Sequence, residues 1–146
     1  MAYLDDLIKQ LIADEGEELS AYQDSLGYWT IGVGHLIDKR KGGQISSEVS
    51  RFLLRDDIHL KSVELIRELP WTTSLDDTRF GALVNLAFNM GVEELLTFKK
   101  FLGFMLFKQY KQAADELLNS LYAKQLPGRS KRVAKQIETG DWQWQT

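Results

Sequence analysis

Residues 15–35 read EGEELSAYQDSLGYWTIGVGH, and within them the chain changes from helical to strand patterning. Before this stretch, Leu4, Leu7, Ile8, Leu11 and Ile12 fall at i, i+3, i+4, i+7 and i+8, one apolar stripe at the helical period. Gly16 is the expected stop, which puts Glu15 in the last helical turn. From Ala21 the period shortens towards two, with Tyr22, Tyr28, Trp29, Thr30, Ile31 and Val33 supplying strand formers. Asp24-Ser25-Leu26-Gly27 reads as the turn joining two short strands. Gly32 and Gly34 leave room for a backbone or ligand to approach closely.

Two acids thus sit on different elements: Glu15 at a helix end and Asp24 in a turn, with the hydroxyl of Thr30 six residues further on. Hydrolysis of a glycosidic bond asks for such a pair. One carboxyl must be protonated to protonate the leaving oxygen, and the other ionised to handle water or the sugar cation. The negative end of a helix dipole favours the protonated form of a nearby carboxyl, which suits Glu15 to the first role. Taken singly, each residue has a blander reading. A Glu at a helix end is usually solvated, an Asp in a turn usually serves the turn, and Thr30 is a β-branched strand residue.

Taken together the pattern is specific. Glu15, Asp24 and Thr30 within DEG…AYQDSLGYWTIGVGH resemble the phage-type lysozymes, the tailed-phage endolysins of glycoside hydrolase family 24. The resemblance continues in NLAFNMG (residues 85–91), LPGRSKRV (126–133) and TGDW (139–142), and so covers nearly the whole chain. It implies a muramidase that cuts the β-1,4 bond between N-acetylmuramic acid and N-acetylglucosamine in peptidoglycan and frees phage progeny by host lysis. Glu15 is then the general acid, with Asp24 and Thr30 holding the attacking water in an inverting reaction. The same resemblance casts Leu36 and Phe88 as cleft-lining, substrate-binding residues, pairs His35 with Asp57, and brings Arg129 towards the acid. The last three are read as structural support. The implied fold is α+β and mostly helical. A hairpin-bearing N-terminal lobe, about residues 14–60, is joined by a long helix to a helical lobe of about 61–146 plus the first helix. The connection between residues 36 and 46 looks shorter than that of the best-known family member.

Composition narrows the alternatives. With 146 residues, 44% of them hydrophobic and 27% charged, the chain can bury one core or two small lobes. It has no cysteine, so no disulfide holds it, and no apolar run reaches membrane-spanning length. Asp5, Asp6 and Lys9 near the start argue against a cleavable signal or signal-anchor. The expectation is a monomer without membrane insertion, held in the host cytoplasm until a holin-type permeabiliser releases it to the periplasm. Residues 1–98 carry 9 Lys/Arg and 17 Asp/Glu, while residues 99–146 carry 9 and 4, so a net charge of -3 hides an acidic first part and a basic second. Lys99, Lys100, Lys108, Lys111, Lys131 and Lys135 are either a docking face for an anionic wall or the solvated sides of helices. A sequence pI near 5.4 makes nucleic acid a poor partner for the Gly128-Arg129-Ser130-Lys131-Arg132 run. His35 and His59 lack ligand-spaced partners, so neither a metal nor a cofactor is expected. A lytic transglycosylase needs one Glu and no water-holding pair, which Asp24 and Thr30 argue against.

Beyond the hairpin the pattern is helical. Gly42-Gly43 is expected to close the strand region, Ser46 or Ser47 to cap a long helix, and Pro70 to stop it. Asp76 or Asp77 is expected to cap a buried helix containing Phe80, Leu83, Val84, Leu86, Ala87, Phe88 and Met90, with Asn85 and Asn89 as core hydrogen bonders. Further helices are expected over 98–110, 111–123 and 130–139.

Overall fold

The computed structural model of the chain describes residues 2–38 and 43–144. The expected closure at Gly42 lies outside these. Among the described residues there are eight helices and one small antiparallel sheet, an α+β fold of the lysozyme-like kind. The chain divides into two compact units, residues 1–53 and 54–146.

In the first unit α1 runs Ala2–Glu15 and stops where Gly16 turns left-handed at φ 75° and donates its N–H to the Ile12 carbonyl at 2.9 Å. Strands β1 (Glu18–Gln23), β2 (Trp29–Gly32) and β3 (His35–Leu36) follow in the order β1-β2-β3. Tyr22 pairs with Thr30 and Gln23 with Trp29, and the register shifts between Glu18 and Tyr22. On the other side of β2, Thr30 pairs with Leu36 and Ile31 with His35. The β1–β2 turn falls at the expected residues, with Gly27 at φ 85°. The helical stripe of α1 stays 37–45% exposed, because a unit of 53 residues has little apolar surface to set against it.

Ser46 caps α2 (Ser47–Glu68), its Oγ accepting from the Val49 N–H at 3.2 Å. Leu65 is the one residue of α2 that is buried. In the second unit a 3₁₀ turn at Pro70–Ser74 leads to α3 (Asp77–Met90), whose cap is Asp76 accepting from the Arg79 N–H. Ala82, Leu83, Val84, Leu86 and Ala87 of α3 are buried, but Phe88 is 42% exposed and Asn85 and Asn89 are exposed, so one face is open. The short α4 (Val92–Leu95) follows.

The remaining helices are α5 (Lys99–Leu106), α6 (Tyr110–Leu118), α7 (Leu121–Gln125) and α8 (Pro127–Thr139). They break earlier and more often than the apolar period implies. Lys108 adopts φ 57°, and the Gln109 N–H bonds back to the Phe104 carbonyl at 2.8 Å, which ends α5 before Tyr110. The expected 111–123 helix divides at Ser120, whose Oγ caps α7 by accepting from the Ala123 N–H at 3.2 Å. The last helix starts three residues before Ser130, because Pro127 fits a first-turn position that needs no N–H donor. Leu83, Leu86, Leu95, Phe101, Met105, Leu117 and Ile137, each at most 1% exposed, form the centre of the core. Arg79 ties α3 to α8: its Nε donates to the Ile137 carbonyl at 2.7 Å and its Nη2 to that of Glu138 at 3.1 Å, while its guanidinium lies 3.8 Å over the Tyr110 ring. Gln136 adds a bond from Nε2 to the Thr78 carbonyl at 2.8 Å.

Candidate active site

Glu15 is the final residue of α1, so the left-handed turn at Gly16 sets the direction of its side chain. That side chain folds over the turn between β2 and β3. A Cβ placed on Gly34 would stand 3.2 Å from Glu15 Oε2 and 3.5 Å from its Cδ. Of the two glycines expected to leave open space, Gly34 has its space filled by the chain's own acid, while nothing lies within 4 Å of a Cβ on Gly32. Gly34 is at φ 62°, so it serves both the turn and the carboxyl.

Asp24 sits half-buried at the start of the β1–β2 turn. Its Oδ1 accepts from the N–H groups of Leu26 and Tyr28, each at 2.9 Å, and Gly27 N–H closes the turn on the Asp24 carbonyl at 3.0 Å. Oδ2 takes no hydrogen bond among the described residues. The turn thus fixes the carboxylate by one oxygen and leaves the other for a ligand. Thr30 is 5% exposed, the most buried side chain among the described residues of this unit, and its Oγ1 donates to the Tyr28 carbonyl at 3.2 Å. With its proton committed to the backbone, that hydroxyl presents lone pairs only.

His35 and Leu36 lie on β3, both exposed, with Leu36 at 45%. Asp57, Phe88 and Arg129 belong to the second unit. Asp57 is an exposed residue of α2, next to a hollow it shares with Leu60, Lys61, Glu64 and Phe88. Phe88 also lines an apolar groove of about 500 Å³ with Leu54, Ile58, Phe80, Val84 and Trp142. Arg129, on the first turn of α8, donates from Nε to Asn85 Oδ1 at 3.0 Å and from Nη2 to the Asn85 carbonyl at 3.3 Å. Asn85 is therefore no core hydrogen bonder but an exposed residue that holds an arginine from the helix beside it. Its signal in the sequence is a polar residue within the otherwise apolar run 80–88 of α3.

Comparison with known proteins gives the chain a family. The phage lysozyme family matches residues 13–136, a span that includes Glu15, Asp24, Thr30 and Arg129. "Probable T4-type lysozyme 1" of Dictyostelium discoideum is 37% identical over 87% of this chain and 90% of its own length. The "Endolysin" of Salmonella phage P22 is 34% identical over 76% of this chain and 77% of its own. The "Pre-baseplate central spike protein Gp5" of Enterobacteria phage T4 is 30% identical over 92% of this chain but only 28% of that longer protein. The chain belongs to the phage lysozyme family and is a glycoside hydrolase of the lysozyme type.

Proposed function

We propose that the protein hydrolyses the β-1,4 bond between N-acetylmuramic acid and N-acetylglucosamine by a single displacement. Glu15 protonates the leaving oxygen, and Asp24 with Thr30 holds the water that attacks the anomeric carbon. The observation that carries this reading is Asp24 itself, pinned through Oδ1 by two turn amides with Oδ2 left over. A carboxylate fixed in this way can accept a proton from a water in a set direction. The Thr30 hydroxyl, its own proton given to Tyr28, supplies an acceptor for that water's other hydrogen. Single displacement requires carboxyls about 6.5–9.5 Å apart, against roughly 5–5.5 Å for a retaining pair. The first-formed product tests the mechanism. An α-anomer from the β-linked glycan is expected. A β-anomer means that Asp24 attacks the sugar, and a 1,6-anhydro product means that no water is held at all.

The biological setting proposed is lysis of the host from within, supported by the match to the endolysin of phage P22. The match to the spike protein of phage T4 supports a second setting, in which the same domain opens the wall during entry. Coverage favours the first, since this chain matches most of the endolysin but only 28% of the spike protein. In that setting an enzyme made in the cytoplasm would depend on a holin-type permeabiliser to meet its substrate; no described helix is long and apolar enough to cross a membrane. Leu36 and Phe88, both more than 40% exposed, are proposed to contact the glycan.

A further inference from the structure

The turn that carries Asp24 contains one residue more than the tightest hairpin needs, and that residue is Gly27. Gln23 pairs with Trp29, so the ladder runs on to Asp24 and Tyr28, with Ser25, Leu26 and Gly27 as the loop. In a regular hydrogen-bonded pair each residue gives its N–H to the other's carbonyl. Here only half of that exchange is made. Asp24 N–H donates to the Tyr28 carbonyl at 2.8 Å, while the Asp24 carbonyl accepts from Gly27 N–H at 3.0 Å. Gly27 is at φ 85°, the only residue of the loop with a positive φ, and forms the glycine bulge of a three-residue hairpin loop.

The bulge changes what Tyr28 can do. Its N–H, released from the ladder, donates to Asp24 Oδ1 at 2.9 Å, beside the Leu26 N–H on the same oxygen. Its carbonyl accepts from Asp24 N–H and also from Thr30 Oγ1 at 3.2 Å. Asp24 and Thr30 therefore hang on one stretch of main chain, the carboxylate from the Tyr28 N–H and the hydroxyl from the Tyr28 carbonyl. A loop without the bulge would return that N–H to the Asp24 carbonyl, and the carboxylate would lose one of its two amides. Hydrogen bonds to an ionised group are the stronger kind, so this loss would loosen the side chain.

We propose that Gly27 is a positioning residue for the reaction. Its left-handed bulge spares the Tyr28 N–H for Asp24 and so aims Oδ2 of Asp24 and the lone pairs of Thr30 at one water. This rests on the reading in which Asp24 and Thr30 hold the attacking water. What the position requires is a backbone conformation and not empty space. Asn enters that conformation more readily than Ala although it is larger, and a β-branched residue does so least of all.

The test compares Gly27→Asn, Gly27→Ala and Gly27→Val in the full chain on solubilised peptidoglycan, well below the melting temperature of each. Gly27→Ala is expected to lower kcat at least about tenfold while KM stays within roughly threefold, because the displaced groups act on water and not on the glycan. Gly27→Asn should keep at least about three times the kcat of Gly27→Ala, and Gly27→Val should be the slowest. Hydrogen exchange reads the geometry without substrate. The Tyr28 N–H should exchange at least about tenfold faster in Gly27→Ala, with the β2–β3 ladder as in the parent. Parental kcat in Gly27→Ala, an Ala variant as active as the Asn one, or unchanged exchange at Tyr28 overturns the proposal. So does faster exchange throughout the sheet, which would make Gly27 a residue of general stability. Glu15→Gln is measured beside them. Parental turnover there strikes the acid assignment, whereas loss there with full turnover in Gly27→Ala strikes this proposal alone.

Discussion

At the scale of single residues, Glu15 has the sharpest consequence. Exchanging its carboxyl for an amide keeps the shape and removes the transferable proton, so Glu15→Gln should cost roughly 10²–10⁴-fold in lysis of permeabilised cells. The melting temperature should barely move, and a variant that lyses at the parental rate would falsify the assignment. Tyr122 makes an opposite kind of prediction. Its ring is 8% exposed, and its hydroxyl is buried with no hydrogen-bond partner among the described residues. Tyr122→Phe should therefore keep stability at neutral pH or raise it by up to about 1 kcal/mol, since nothing is lost but a desolvated group. Burial holds the Tyr122 phenol above its usual range, against the opposing charge of Arg129. The unfolded chain then loses that proton first, near pH 10, so stability falls as pH rises beyond this value. Denaturant titrations at pH 7 and near pH 11 should show a smaller alkaline loss in the Phe variant than in the parent. A larger one contradicts the argument.

At the scale of elements, Gly34 shows how a turn can make room for a carboxyl proposed to be catalytic. Gly34→Ala forces a side chain into a left-handed backbone, at about 1–2 kcal/mol, and presses its Cβ on Glu15 Oε2. Thermal melts should register the first effect. Turbidity assays should show at least a tenfold loss of activity, because a small misplacement of a catalytic group is costly. Full activity would mean that Glu15 does not work from its position over this turn. This turn was half legible. Gly32 and Gly34 announce close approach in the sequence, but what approaches is set by the end of α1, and spacing cannot give that. The caps were legible because they are local: Ser46, Asp76 and Gly16 act on atoms within four residues of themselves. The break between α5 and α6 was expected, but at 110/111 rather than at Lys108, since a left-handed lysine has no strong sequence mark; the break at Ser120 was not, since the apolar period of 111–123 runs across it.

At the scale of the whole molecule, each buried apolar side chain among the described residues lies at Leu65 or beyond, while the acid pair lies before it. Sequence could not reveal this division, because the stripe of α1 reads like any core face. Glu15, Asp24 and Thr30 stand out as candidates through the spacing that resembles a known family, whereas the grip of Asn85 on Arg129 depends on α3 and α8 lying side by side. The lytic setting has its own test at this scale. Made alone in a bacterial cytoplasm, the protein should accumulate while the culture keeps its turbidity, and co-expression of a membrane permeabiliser should clear it. Enzyme found in the periplasm before any membrane damage would overturn the dependence.

The ties between α3 and α8 have a consequence in time. Arg79 and Thr78 bond to residues 58 and 59 positions further along the chain, and the ring of Trp142 lies on Gly81, where a methyl group would collide with its Cη2. On a translating ribosome α3 must therefore wait for its partners through about 3–12 s of synthesis at roughly 5–20 residues per second. During that interval its apolar faces belong to no finished core, and the nascent chain is open to chaperones and to its own copies. A side chain at Gly81 would have to displace the Trp142 ring, so an enlarged residue 81 would leave the tail without its seat on α3.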